Sequence, residues 1–270
     1  MSFHRISKEC FDWLKSQPKV KEESLTDWFL YQLDKRVPNV ISKTFTRNEE
    51  AKNGSDWEWW FLTNDSYDRR LRAYRFLVQA KKLKSDTYED NYPLIAYANR
   101  NGLQIDLLTQ EALYRRAMPL YIYYTVQQPD IEEQLKNIDY LTEKELRWCS
   151  TCVNGCFLSS AFSVKDFVFD SPRRKIESKE LVDRAFGLSI FDLVLKDAAN
   201  ADRLLKQFNQ AFLEERRKED MQLGGITYYG KEIPSYVVRL CESKENPDFS
   251  QEQYRELAGL SGIAVFDLRD

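Results

Sequence analysis

The residues best placed to do chemistry lie in two short strings, DWEWWF at 56–61 and RFLVQAK at 75–81. Both have the composition of β-strands, and side chains in a strand alternate between its two faces. Asp56 therefore shares a face with Glu58, and Gln79 shares one with Lys81. If the strands pair, two carboxylates, an amide oxygen and an ammonium converge at one end of a hairpin. Carboxylate and amide oxygens are hard donors suited to Mg²⁺ or Mn²⁺. A cation held by them polarises a phosphoryl oxygen and lowers the pKa of a bound water. A lysine alongside orients that water or offsets charge building on the phosphate. The expectation is a Mg²⁺ or Mn²⁺ site made by Asp56, Glu58 and Gln79, with Lys81 beside it.

Composition narrows the alternatives. His4 is the single histidine, so Ser-His-Asp triads, HNH nuclease sites, His-rich zinc sites and HExxH proteases are all excluded. Any hydrolysis must use carboxylates, lysine, tyrosine or a metal. The chain has 270 residues, 43% of them hydrophobic and 31% charged, which suits a globular protein with a real core. Its net charge of −3 weighs against a protein that passively coats nucleic acid, but not against a local basic cleft. Five cysteines, an odd number, and the lack of any apolar run near the ~20 residues of a membrane span give a cytoplasmic expectation with no membrane partner.

The elements that must position these residues follow from periodicity. Phe3, Ile6, Cys10, Trp13 and Leu14 mark a helix over 3–15, and Leu25, Trp28, Phe29 and Leu33 mark a second from Glu22 to Arg36, stopped by Pro38. Val40–Arg47 reads as a strand, NEEAKNGS as a loop, and Asp56–Leu62 with Leu71–Lys82 as a hairpin turning at TNDSYDRR. A helix over 103–117 leads through Pro119 into the apolar strand LYIYYTV, an order typical of an α/β core. Residues 131–150 and 177–219 read as partly helical, and YVVRLCE and GIAVFDL as short strands. Residues 1–160 are taken as the α/β core and 161–270 as an α+β extension packed on it, or as one continuous domain with it.

Several eye-catching features have plainer readings. Trp57, Trp59 and Trp60 suit a buried core better than a base-stacking platform. Cys149, Cys152 and Cys156 form C-x₂-C-x₃-C, but a zinc site needs a fourth ligand and only distant candidates exist, so packed thiols are the better reading. The basic runs Arg69-Arg70 with Arg72, Lys81-Lys82 with Lys84 and Arg173-Arg174-Lys175 read as solvated surface, and those beside the hairpin gain weight as phosphate contacts.

The ordered set of a helix-borne Glu, a carboxylate-bearing strand, a turn and Q-x-K ending an apolar strand resembles the PD-(D/E)XK, restriction-endonuclease-like nuclease superfamily. It is most similar to Mrr-type enzymes, where Gln replaces the first acidic residue of (D/E)xK. EESLTD, FTRNEE, GSDWEWW, VQAKKL, GLQIDLL, LYIYY and Gly155-Cys156 also resemble a bacterial restriction-like family, over roughly residues 20–160. The resemblance implies a central mixed sheet flanked by helices and a Mg²⁺-dependent endonuclease acting on nucleic acid, with DNA favoured, in bacterial antiviral defence or DNA processing. It implies Glu22 or Glu23 as the helix carboxylate, Asp56 or Glu58 as main ligand, Gln79 and the flanking backbone carbonyl as further oxygen donors, and Lys81 as catalytic lysine. Arg47, Lys82 and Gln104 are the expected nucleic-acid contacts. A homodimer or a protein partner from a defence system fits the same reading. A catalytically silent domain that binds nucleic acid or protein, and a nuclease effector gated through residues 160–270, are the competing readings.

Overall fold

The computed structural model describes residues 2–45, 55–64, 70–84, 89–130, 142–169, 175–195, 198–218, 224–243, 249–257 and 260–269. Helix α1 (Ser2–Ser16) buries Phe3, Ile6, Ser7, Cys10 and Leu14, the stripe its periodicity predicts with Ser7 added and Trp13 only half-buried. Helix α2 (Glu22–Arg36) buries Leu25, Phe29 and Leu33. Asn39 then turns the chain at φ 62°, a left-handed conformation that Asn tolerates better than most residues, into β1 (Val40–Thr44). The pair β2 (Trp57–Asn64) and β3 (Leu71–Lys82) is antiparallel, with Trp57 opposite Val78 and Asn64 opposite Leu71. A short helix α3 (Tyr92–Ile95) and the two-residue strands β4 (Ala98–Asn99) and β5 (Gly102–Leu103) lead into α4 (Gln104–Tyr114) and β6 (Met118–Tyr124). The remaining strands are β7 (Cys156–Ser160), β8 (Phe186–Gly187), β9 (Thr227–Tyr229) and β10 (Gly262–Asp267).

All but β4 and β5 join one mixed sheet in the order β1-β10-β2-β3-β6-β7-β8, with β9 also paired to β3. Strand β10 runs parallel to β2 and antiparallel to β1, and β6 runs parallel to β3. The sheet is covered on both sides, which is why its strands read as apolar runs. One core joins Trp57, Trp59, Phe61, Phe76 and Val78 to α1, α2 and the helix Ala198–Lys218. The other joins Trp60, Leu77, Tyr121, Tyr123 and Phe157 to α4 and the helices Ala161–Phe169 and Ser235–Glu242. The three tryptophans are core, at most 1% exposed, and no stacking surface is left to them.

Strand β7 runs directly into the helix at Ala161, and the residues beyond it supply β8, β9 and β10 to the same sheet. Of the two strands expected near the end, GIAVFDL is β10, but YVVRLCE is helix Ser235–Glu242. Its β-branched composition suggested a strand. The buried Tyr236, Val237 and Leu240 instead lie on one helical face, and Pro234 precedes the first turn, where a missing N–H costs nothing. Residues 178–183, 191–194 and 198–218 are helical as expected, as are 143–151; 131–141 and most of NEEAKNGS and of the hairpin turn lie outside the described residues. Among the described residues, no helix is long and apolar enough to cross a membrane.

Glu58 explains part of this interlocking. Its carboxylate is fully buried, paired with Arg75 Nη2 at 2.9 Å, and accepts hydrogen bonds from the Tyr236 hydroxyl at 2.7 Å and from the Trp60 indole N–H. Arg75 Nη1 also donates to the Arg115 carbonyl at 3.2 Å. The cluster ties the hairpin to α4 and to the helix Ser235–Glu242. Glu58→Ala would strand a buried guanidinium, so urea unfolding is expected to show a loss of about 3–5 kcal/mol; a loss under about 1 kcal/mol would mean that the pair behaves like an exposed one.

Candidate functional site

Strand β3 outruns its neighbour. Pairing with β2 ends at Val78, while pairing with β6 continues to Lys82. On the side where β2 has ended, the backbone N–H groups of Ala80 and Lys82 need other acceptors, because an unpaired buried N–H is costly. Asp56 Oδ2 accepts from Ala80 N at 2.8 Å, and Glu22 Oε2 accepts from Lys82 N at 2.5 Å. The backbone of Asp56 is itself held on both sides, its N–H donating to Val78 O at 2.9 Å and its carbonyl accepting from Ser261 N at 2.7 Å.

These residues face a cavity of about 440 Å³ whose lining includes Glu22, Glu23, Asp56, Gln79, Lys81 and Gln104. Gln79 and Lys81 share a face of β3, as the strand period requires, and are 3% and 6% exposed. The Gln79 amide donates to Asp56 Oδ2 at 2.7 Å and to Ala80 O at 3.1 Å. Gln104, the first residue of α4, donates from Nε2 to Gln79 Oε1 at 2.9 Å and accepts from Lys81 Nζ at 2.5 Å. Tyr97 lies with its ring centroid 5.9 Å from Lys81 Nζ.

The electrostatics follow from burial. Strand β6 sets Tyr121 beside Gln79 and Tyr123 beside Lys81, and both rings are fully buried. Desolvation holds the Lys81 ammonium below the ordinary lysine range, although the Glu22 and Asp56 carboxylates pull it back up. Desolvation likewise pushes the Glu22 carboxyl up, against the opposing pull of Lys81 and the Lys82 N–H. Lysine and glutamate are thus both drawn toward neutrality and lean on each other for charge.

The structure brings together Glu22, Asp56, Gln79, Lys81 and Gln104, and puts Glu23 on the same cavity with its side chain exposed. Glu58 is not among them. It shares a face with Asp56, but two residues along a strand is about 6.6 Å, and that step carries Glu58 into the buried Arg75 cluster. Lys82 is committed elsewhere, its Nζ donating to Pro18 O at 2.5 Å and Val20 O at 2.7 Å, which fastens the segment between α1 and α2 to β3. Arg47 lies outside the described residues. Cys149, Cys152 and Cys156 are free thiols; Cys156 is buried on β7, and the Cys152 thiol donates to Trp148 O. Ser261 and Tyr97 join the cavity without a signal in the local sequence, since long-range strand pairing and an irregular connection put them there.

The oxygens offered are distinctive. Among the described residues, no group of three or more His, Cys, Asp or Glu side chains is placed to hold a metal ion. The cavity offers another donor set: the Asp56 carboxylate, the Ala80 carbonyl and the Gln79 side-chain amide, with Glu22 nearby. Asp56 Oδ2 and Ala80 O converge on one N–H₂ group, the place a hard cation would take if Gln79 presented its oxygen instead. Such a set fits Mg²⁺, which keeps several waters and needs few protein ligands.

Fold and site together define a three-layer α/β protein with a polar, half-buried cavity where a central hairpin strand overhangs its partner. The chain matches the family of unknown function DUF6615 over residues 1–269 and belongs to that family. No curated protein and no solved structure matches it.

The mutual support of Glu22 and Lys81 can be tested directly. Glu22→Gln keeps an oxygen for the Lys82 N–H but removes a negative charge, so the Lys81 titration, followed by NMR of ¹³Cε-labelled lysine, is expected to move further down. An unchanged or raised titration would show that Glu22 does not sustain the ammonium.

Proposed function

We propose that this protein is a cation-dependent phosphodiesterase of restriction-endonuclease-like architecture that cleaves nucleic acid, with DNA the first substrate to test. One observation carries the reading. The helix carboxylate Glu22, the strand carboxylate Asp56 and the Q-x-K residues Gln79 and Lys81 meet in one cavity, in the chain order that the resemblance requires. The mixed sheet between two helical layers supports it. The five unpaired thiols suit a reducing, cytoplasmic setting. A role in bacterial antiviral defence or DNA processing follows from the resemblance alone.

Asp56, the Ala80 carbonyl and the Gln79 side-chain oxygen would hold Mg²⁺ or Mn²⁺, and Glu22 would support its water shell. Bound there, the ion would supply Lewis-acid polarisation of a phosphoryl oxygen and a more acidic water. The protein contributes the rest. Lys81, held in a low-dielectric pocket, presents an ammonium whose hydrogen bonds strengthen as negative charge grows on the phosphate. The buried aromatic wall of β6 keeps bulk water from screening that interaction. Glu23 and Asp27 put carboxylates on the same cavity. They disfavour a polyanion unless a cation offsets them, which links substrate binding to the ion.

The test is nicking of supercoiled DNA by the full chain with Mg²⁺ or Mn²⁺, repeated on structured RNA. Wild type is expected to cleave, EDTA to stop it, and Asp56→Ala and Lys81→Ala each to lower the rate by about 10²–10³-fold. Wild-type rates in both variants would refute the site, and tight nucleic-acid binding without cleavage in any condition would place the chain with the catalytically silent domains.

A further inference from the structure

Lys81, Gln104, Gln79 and Asp56 form a single chain of hydrogen bonds: Lys81 Nζ to Gln104 Oε1 at 2.5 Å, Gln104 Nε2 to Gln79 Oε1 at 2.9 Å, and Gln79 Nε2 to Asp56 Oδ2 at 2.7 Å. The direction of this chain is set by its ends. An ammonium only donates and a carboxylate only accepts, so the two amides between them must both point the same way. The cavity wall holds them there, since Gln79 and Lys81 are almost fully buried and Gln104 is fixed at the first turn of α4, its backbone N–H donating to Tyr97 O at 2.8 Å.

This polarity conflicts with a cation at the same place. A cation between Asp56 and the Ala80 carbonyl repels the Gln79 N–H₂ group and requires its oxygen. Turning the Gln79 amide points an N–H₂ group at Gln104 Nε2, so Gln104 must turn as well to present an acceptor. Gln104 then shows N–H₂ to the Lys81 ammonium, two donors face each other, and their bond is lost. The geometry points to Gln104 as a positioning residue that couples the two halves of the site: with no cation it holds Lys81 in store, and with a cation bound it releases the ammonium toward the phosphate. This rests on the reading of the cavity as a cation-dependent phosphodiesterase site. It adds that the lysine is made available only when the ion is present, which would limit unproductive binding of nucleic acid by the cation-free protein.

Coupling of this kind is reciprocal, so it can be read from binding without turnover. The experiment is calorimetric titration of the full-length protein with Mn²⁺ alone, in wild type, Lys81→Met, Gln104→Met and the double variant. Removing the ammonium tightens Mn²⁺ binding in either background by relieving direct repulsion. The relay adds a further gain, of about fivefold, only where Gln104 is present. An equal gain in both backgrounds overturns the relay while leaving the cation site standing. Absence of Mn²⁺ binding that depends on Asp56 overturns the site, and the relay with it. A second measurement needs no variant. In a Mg²⁺ titration followed by side-chain amide ¹⁵N–¹H NMR, the Gln79 and Gln104 resonances are expected to shift together with one midpoint. A shift at Gln79 with Gln104 unmoved overturns the relay.

Discussion

Two backbone N–H groups govern this site. Where β3 runs past the end of β2, Ala80 and Lys82 donate into space that no strand fills, and Asp56 and Glu22 are the acceptors that fill it. The same overhang turns the Ala80 carbonyl toward the cavity. A shorter β3 would lose the carbonyl and the lysine, and a longer β2 would pair both N–H groups and displace the carboxylates. The carboxylates are therefore held by main chain, the least adjustable partner available, and the polar side chains of β3 are set by strand period above them. Preorganisation of this kind suits the proposed phosphodiesterase chemistry, in which most of the work is positioning and electrostatics.

The rest of the fold serves to keep that end of β3 fixed. Strand β10, from the last residues of the chain, lies between β1 and β2, and Ser261 just ahead of it donates to the Asp56 carbonyl. The helix Ser235–Glu242 closes over Glu58 and Arg75 through Tyr236. The C-terminal third is thus joined to the hairpin by a strand and by the Tyr236 hydroxyl, which hydrogen-bonds both members of the hairpin's buried ion pair. Removing the chain beyond residue 165 would take β10 out from between β1 and β2.

Local pattern made much of this legible. The two opening helices, the hairpin, α4 and β6 follow directly from apolar spacing, and strand alternation alone places Gln79 and Lys81 together. It could not separate Asp56 from Glu58, because both satisfy the period, and the choice rests on Arg75 and on Tyr236, which lies 178 residues away in sequence. Glu22 and Glu23 are adjacent carboxylates that chain order alone does not separate, and the Lys82 N–H singles out Glu22. Lys82 resembled a phosphate contact because charge near a site is easily read as function, yet its ammonium fastens two backbone carbonyls. YVVRLCE misled because β-branched composition spoke louder than a one-four spacing over so few residues.

The proposed cation site at the overhang of β3 consists of Asp56, the Ala80 carbonyl and Gln79. Anomalous diffraction from crystals of the full-length protein soaked in Mn²⁺ tests it most directly. A single strong peak is expected in this cavity, within coordination distance of Asp56 Oδ2, Ala80 O and the Gln79 side-chain oxygen, with the Gln79 amide turned relative to the cation-free protein. A saturating soak that leaves the cavity without a peak, or a peak held by other residues alone, would contradict it.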